Sequence, residues 1–118
     1  TPTIVTENGN LKMVVGSPGG STIITSVLQT ILNVTEFDMG MQEAVSVPRF
    51  HHQWLPDTIK MEPNGFDEVI IQTLKDLGYE IDISNSVVIG KVNAILVLEN
   101  GQLEGGADPR GDETAVGY

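Results

Sequence analysis

Residues 16–22 read GSPGGST, three glycines and a proline between an apolar run and a run with helical spacing. Backbone this free loses much entropy on folding, so the segment needs a structural or a chemical reason. The chemical one follows from the order strand, glycine loop, helix. The first amides of a helix have no internal acceptor, and that end carries partial positive charge. An anion, or the oxyanion that develops on a carbonyl under attack, is stabilised there, and glycine lets the reacting group approach the backbone. The same residues also suit a plain strand-to-helix turn that needs positive φ, and spacing leaves that reading open. A nucleotide P-loop is not met, because no lysine lies within 13–59, and neither is a G-x-G-x-x-G fingerprint.

Other residues with chemical potential have plainer roles. His51 and His52 are adjacent, and neighbours in a strand point to opposite faces, so a shared metal is not expected and a hydrogen-bonded structural role is. Trp54, the one tryptophan, is expected to pack. Asp108-Pro109-Arg110 reads as an internal ion pair fixing the tail, with a substrate-binding arginine as the alternative. No serine sits in a G-x-S-x-G elbow, and no nucleophile–base pair stands out. Glu99 and Glu104 show no metal-loop spacing. The absence of cysteine excludes disulfides, thiol catalysis and zinc–thiolate sites. With 6 Lys+Arg against 16 Asp+Glu, the net charge of −10 argues against nucleic acid or an anionic membrane as partner.

These residues need elements to position them. The 118 residues, 40% apolar, suffice for a single domain spanning 1–118 with one core. Asn8-Gly9 predicts a hairpin between TIVT (3–6) and LKMVV (11–15), whose second strand runs straight into the glycine loop. Ile23, Ile24, Val27, Leu28, Ile31 and Leu32 predict a helix over about 22–35, with Ser21 as its N-cap. Apolar residues on both sides of it place it under a sheet. Asp38 is expected to cap a short helix over about 39–46 that ends at Val47-Pro48. Residues 49–63 read as extended chain with a turn at Leu55-Pro56-Asp57, and a third helix covers about 66–77, closed by Gly78. YEIDI (79–83) alternates as a strand, NAILVLEN (93–100) reads as a buried strand, and Asn100-Gly101 turns it into QLEGGA (102–107). The order ββααβαβββ argues for a layered α+β domain of antiparallel strands and about three helices. No apolar run approaches the ~20 residues of a membrane helix. The chain opens without a basic or apolar leader, so it is expected to start inside something larger or to be a mature cytoplasmic or processed piece.

VVGSPGGSTIITSVLQTILN, PRFHHQWLPDTIKME, ADPR and the terminal GY occur in one order along the whole chain. Together they resemble the carboxy-terminal part of the small subunit of the γ-glutamyltransferases (γ-glutamyltranspeptidases, glutathione hydrolases). The resemblance implies an N-terminal-nucleophile hydrolase, of which this chain completes part of an αββα sandwich. It implies a self-cleaving precursor and a threonine that carries the γ-glutamyl group of glutathione to water, amino acids or peptides, its own α-amine serving as base. It implies no cofactor and a periplasmic, secreted or surface-anchored enzyme. Gly19 and Gly20 match the adjacent glycines whose N–H groups form the family's oxyanion hole. The nucleophile matches nothing in this chain: Thr1 aligns just after a serine pair that holds the substrate carboxylate. The large subunit, its arginine, and the asparagine and acidic group that hold the substrate's amino end are likewise outside. This piece is therefore expected to be inactive alone and to self-associate through faces the remainder would cover. The alternative is a non-catalytic small-anion, carboxylate-binding or interaction domain that uses the Gly16–Ser21 loop. Residues 64–106 follow the family's apolar positions more than its letters.

Overall fold

The structure, a computed structural model, describes residues 2–83 and 88–117; Thr1 and Tyr118, both invoked above, lie outside the described residues. β1 (Thr3–Glu7) and β2 (Asn10–Gly16) form the hairpin turned by Asn8-Gly9. α1 (Thr22–Thr35) and α2 (Met41–Ser46) follow, then β3 (Phe50–His51), β4 (Thr58–Met61), α3 (Glu68–Asp76), β5 (Glu80–Asp82), β6 (Asn93–Val97) and β7 (Leu103–Ala107). The extended stretch 49–63 thus resolves into two strands, one more than the sequence order anticipated. The strands form an antiparallel four-stranded sheet, β1-β2-β6-β7, and a three-stranded sheet, β3-β4-β5. In the second sheet β4 and β5 are parallel, because α3 crosses over between them.

Alternation on β2 and β6 builds the main core. Met13, Val15, Ala94 and Leu96 face inward and pack against Val27 and Val34 of α1 and Met41, Ala44 and Val45 of α2. Their neighbours Val14 and Ile95 face out and are exposed, so β6 is a half-buried strand rather than the buried one expected. Gly106 on β7 is small for a reason: a Cβ there would sit 2.8 Å from the Met41 carbonyl oxygen, so glycine lets α2 lie close on the sheet. A second cluster, Ile59, Met61 and Ile71 with Phe66, Leu74 and Ile81, joins α3 to the smaller sheet. The α3 cap is local: Asp67 accepts a hydrogen bond from the Val69 N–H.

Three expectations need correction. α1 buries only one side, with Ser26 and Thr30 fully buried beside Val27 and Val34, while Ile24, Leu28 and Leu32 are exposed. No sheet among the described residues covers that outer face. Asp38 does not cap α2; it sits at φ 53, before the helix begins, and Gly40 holds the N-cap position. The first α2 amide is satisfied from afar, Met41 N–H donating to Glu104 Oε1 on β7 at 2.8 Å. Trp54 does not pack; at the tip of the β3–β4 hairpin, with φ 68, it is 75% exposed.

Candidate functional site: the glycine loop

β2 ends where α1 begins, and the register Gly16↔Asn93 sets the glycine loop beside the segment that enters β6. Gly19 and Gly20 take φ 138 and 59, a region open to glycine and costly for other residues. Their carbonyls turn toward α1: Gly19 O accepts from Thr22 N–H at 3.2 Å and from Thr22 Oγ1 at 2.9 Å, and Gly20 O accepts from Ile23 N–H at 3.3 Å. Among the described residues, no protein group accepts from the Gly19 or Gly20 N–H. A Cβ on Gly20 would meet nothing within 4 Å, so that side of the loop is open to a ligand. Ser21 stands at the N-cap position but makes no side-chain cap, because it is already helical (φ −64, ψ −23), whereas a capping side chain works from extended backbone. Thr22 ties the turn instead, through its bond to Gly19 O.

Behind the loop lies a wall that sequence reasoning missed. Buried Ser17 accepts from Lys91 N–H at 3.0 Å and donates to Pro18 O at 2.7 Å. Buried Ser26 donates to Thr22 O at 2.8 Å and is 3.1 Å from Ile89 O. Residues 89–90 are held in turn by Arg49, whose Nη1 donates to Ile89 O at 3.1 Å while Nη2 donates to Val45 O at 2.6 Å. Arg49 is fully buried against Asp108, Nη1 to Oδ2 at 2.7 Å. Asp108 also accepts from the N–H groups of Val92 (2.6 Å) and Arg110 (2.9 Å) and from Arg110 Nη1 (3.0 Å). Arg110 is paired with Glu62 and donates to the Val45 and Val47 carbonyls at the end of α2, where cations are favoured.

Burial pushes the Arg49 guanidinium below its ordinary value, with Asp108 opposing. For Asp108, burial works to raise the carboxyl, but bonds from the Arg110 and Val92 amides and from Arg49 outweigh it and hold the group below its ordinary value. Burial opposes the charge on Arg110 too, yet Glu62 and Asp108 raise it. The internal ion pair expected at Asp108–Arg110 is therefore present, within a larger network. Arg49 was not legible in the sequence, because its carboxylate partner, Asp108, lies far along the chain.

The histidines part company as their alternation implies. His51 is buried, with Nδ1 2.8 Å from Thr25 Oγ1 and Nε2 3.0 Å from Gln53 Oε1. His52 pairs with Asp57 at 2.8 Å. Among the described residues, neither belongs to a group of three or more His, Cys, Asp or Glu side chains that could hold a metal ion.

The sequence model of the Gamma-glutamyltranspeptidase family matches residues 1–118. The chain belongs to that family. It is 40% identical over 119 residues to the glutathione hydrolase proenzyme of Escherichia coli strain K12, which covers all of this chain and 20% of that protein. A crystal structure of a mutant Helicobacter pylori gamma-glutamyltranspeptidase superposes with a TM-score of 0.87 at 48% identity, over 94% of this chain and 60% of that one. Gamma-glutamyltranspeptidase from Pseudomonas nitroreducens, complexed with L-DON, superposes with a TM-score of 0.86 at 36% identity, over 100% of this chain and 61% of that one. The chain thus spans about a fifth of the E. coli protein and about three fifths of these solved chains. The α+β class, with three helices among the described residues and mostly antiparallel strands, is that of this N-terminal-nucleophile family. The likeness to autoprocessed glutathione hydrolase proenzymes makes the family an enzymatic one.

Proposed function

We propose that this chain is part of an enzyme that transfers the γ-glutamyl group of glutathione and related compounds to water, amino acids or peptides, and that Gly19 and Gly20 supply its oxyanion hole. A threonine outside this chain attacks the γ-carbonyl carbon, and its hydroxyl proton passes to its own α-amine. The carbonyl oxygen becomes an oxyanion that accepts from the Gly19 and Gly20 N–H groups. Collapse breaks the C–N bond, the leaving amine takes the proton, and a glutamyl ester remains. Water or an acceptor amine then repeats the steps in reverse. The observation that carries this reading is the pair of adjacent amides with no protein acceptor among the described residues, beside the open face of Gly20 at the head of α1. From the family resemblance alone, we also propose that the enzyme works in the periplasm, outside the cell or on its surface. Glutamate release from glutathione by the purified full-length protein is the expected result. A fully processed protein that releases none refutes the reading.

The faces left bare extend it to partners. Ile24, Leu28 and Leu32 on α1, and Ile4, Ile95 and Leu103 on the larger sheet, are exposed apolar residues on a chain this short. We read them as surfaces covered by the remainder of the subunit and by the large subunit. The isolated chain, without the attacking threonine, is expected to be inactive, and in analytical ultracentrifugation its sedimentation coefficient is expected to rise with concentration. A monomer throughout the range counts against this assignment of the bare faces.

A further inference from the structure

The wall behind the glycine loop has a geometry that a plain turn does not need. Gly90 takes φ 70 and faces Gly19 with no side chain between them: a Cβ on Gly19 would lie 3.2 Å from Gly90 Cα. A Cβ on Gly90 would lie 2.4 Å from Ser26 Oγ, 2.8 Å from Ser17 Oγ and 2.9 Å from Ser26 Cβ. The two serines clasp the segment on either side of that glycine, Ser26 at the Ile89 carbonyl and Ser17 at the Lys91 amide. Both hydroxyls are buried, and among the described residues every buried side-chain polar atom is partnered. The segment so held is also bonded by Arg49, whose Nη1 donates to the same Ile89 carbonyl. The glycine loop therefore rests directly on the backbone at Gly90.

We propose that Ser17, Ser26 and Gly90 are positioning residues for the reaction: they set the plane and the depth of the Gly19-Gly20 amides without touching substrate. The proposal rests on reading those amides as the oxyanion donors. An oxyanion donor acts through a hydrogen bond that strengthens as charge develops, so a misplacement of under an ångström weakens transition-state binding more than substrate binding. A wall that fixes the donors is thus expected to act on kcat.

The test uses the full-length, processed enzyme, with Ser17→Ala, Ser26→Ala and Gly90→Ala compared to Gly20→Pro and to Thr73→Ala on the far helix α3 as control. Gly90→Ala is expected to lower kcat by about 10- to 100-fold and each serine variant by about 5- to 20-fold, with KM within about twofold. Affinity for a tetrahedral γ-boronate analogue of glutamate falls in step with kcat, while affinity for glutamate itself holds. Thr73→Ala changes neither. The serine variants add no bulk, so they carry the test if Gly90→Ala fails to fold. If the serine variants keep wild-type kcat and boronate affinity while Gly20→Pro loses both, the positioning role is overturned and the oxyanion assignment stands. If Gly20→Pro also keeps both, the oxyanion assignment fails and the positioning role fails with it.

Discussion

Replacing Asp108 with alanine is expected to cost the protein about 3–5 kcal/mol, the range for stripping one partner from a buried ion pair. The carboxylate accepts from four donors: Arg49 Nη1, Arg110 Nη1 and the amides of Val92 and Arg110. Its loss leaves the Arg49 charge buried with only carbonyl partners and orphans a buried backbone N–H. Domains of this size have about 5–15 kcal/mol in total, so the variant is expected to unfold at much lower urea. Lys12→Ala, which breaks the exposed pair with Glu7, is the comparison and is expected to cost under about 1 kcal/mol. Equal urea midpoints for the two variants would show that the buried pair is not what holds these segments. The pH dependence follows from the same site. Asp108 is depressed in the folded state, and an unfolded aspartate titrates near about 3.9. Between the two values the unfolded chain binds more protons, so stability falls as the pH drops. The contribution is fully present above about pH 4 and is lost as the pH falls through the folded value. Both arginines stay charged throughout that range. Urea midpoints measured from about pH 6 down to about pH 2 should therefore fall more steeply for wild type than for Asp108→Asn.

The network also marks where sequence reading stops. α1 was legible because its apolar period and the glycine loop before it are local, and its bounds agree with the expected 22–35. The hairpins at Asn8-Gly9 and Asn100-Gly101 were legible for the same reason. The start of α2 was not, because the group that satisfies its first amide, Glu104, lies on β7 and no local pattern announces it. Asp38 looked like a cap by residue type, but the cap depends on backbone angle, and its φ is wrong for one. The parallel β4–β5 pair was hidden because it depends on where α3 returns the chain. At the site, Gly19 and Gly20 were legible as a motif. The serines and Gly90 were not, since Ser17 and Ser26 look like any polar residue at a strand end or helix face until the segment at 89–91 is seen against them. Trp54 was misjudged by composition, because a large aromatic is normally buried and this one is carried out on a hairpin tip.

The second large effect concerns the two glycines, and the structure separates what sequence could only pair. A side chain at Gly19 would strike Thr22 Oγ1 at 2.5 Å and crowd Gly90, so any substitution there disturbs the loop as well as the site. Gly20 meets nothing, so its substitutions are readable. Gly20→Ala keeps the N–H and carries only the strain of φ 59 in a residue with a Cβ, about 1 kcal/mol of stability. Gly20→Pro removes the N–H, and its ring cannot take that φ, so both the donor and the local path of the loop are lost. In the processed full-length enzyme, Gly20→Pro is expected to lower kcat by about 10²–10³, as the loss of one oxyanion donor does elsewhere, with a smaller change in KM. Gly20→Ala is expected to retain most of the donor effect and to fall well short of that loss. The ordering follows from where the charge develops. The ground-state carbonyl is a weak acceptor and binds much the same without one amide, whereas the oxyanion depends on it. If the two variants lose kcat equally, strain in the loop explains the loss and the amide does not. If Gly20→Pro turns over like wild type, the amide has no part in the reaction.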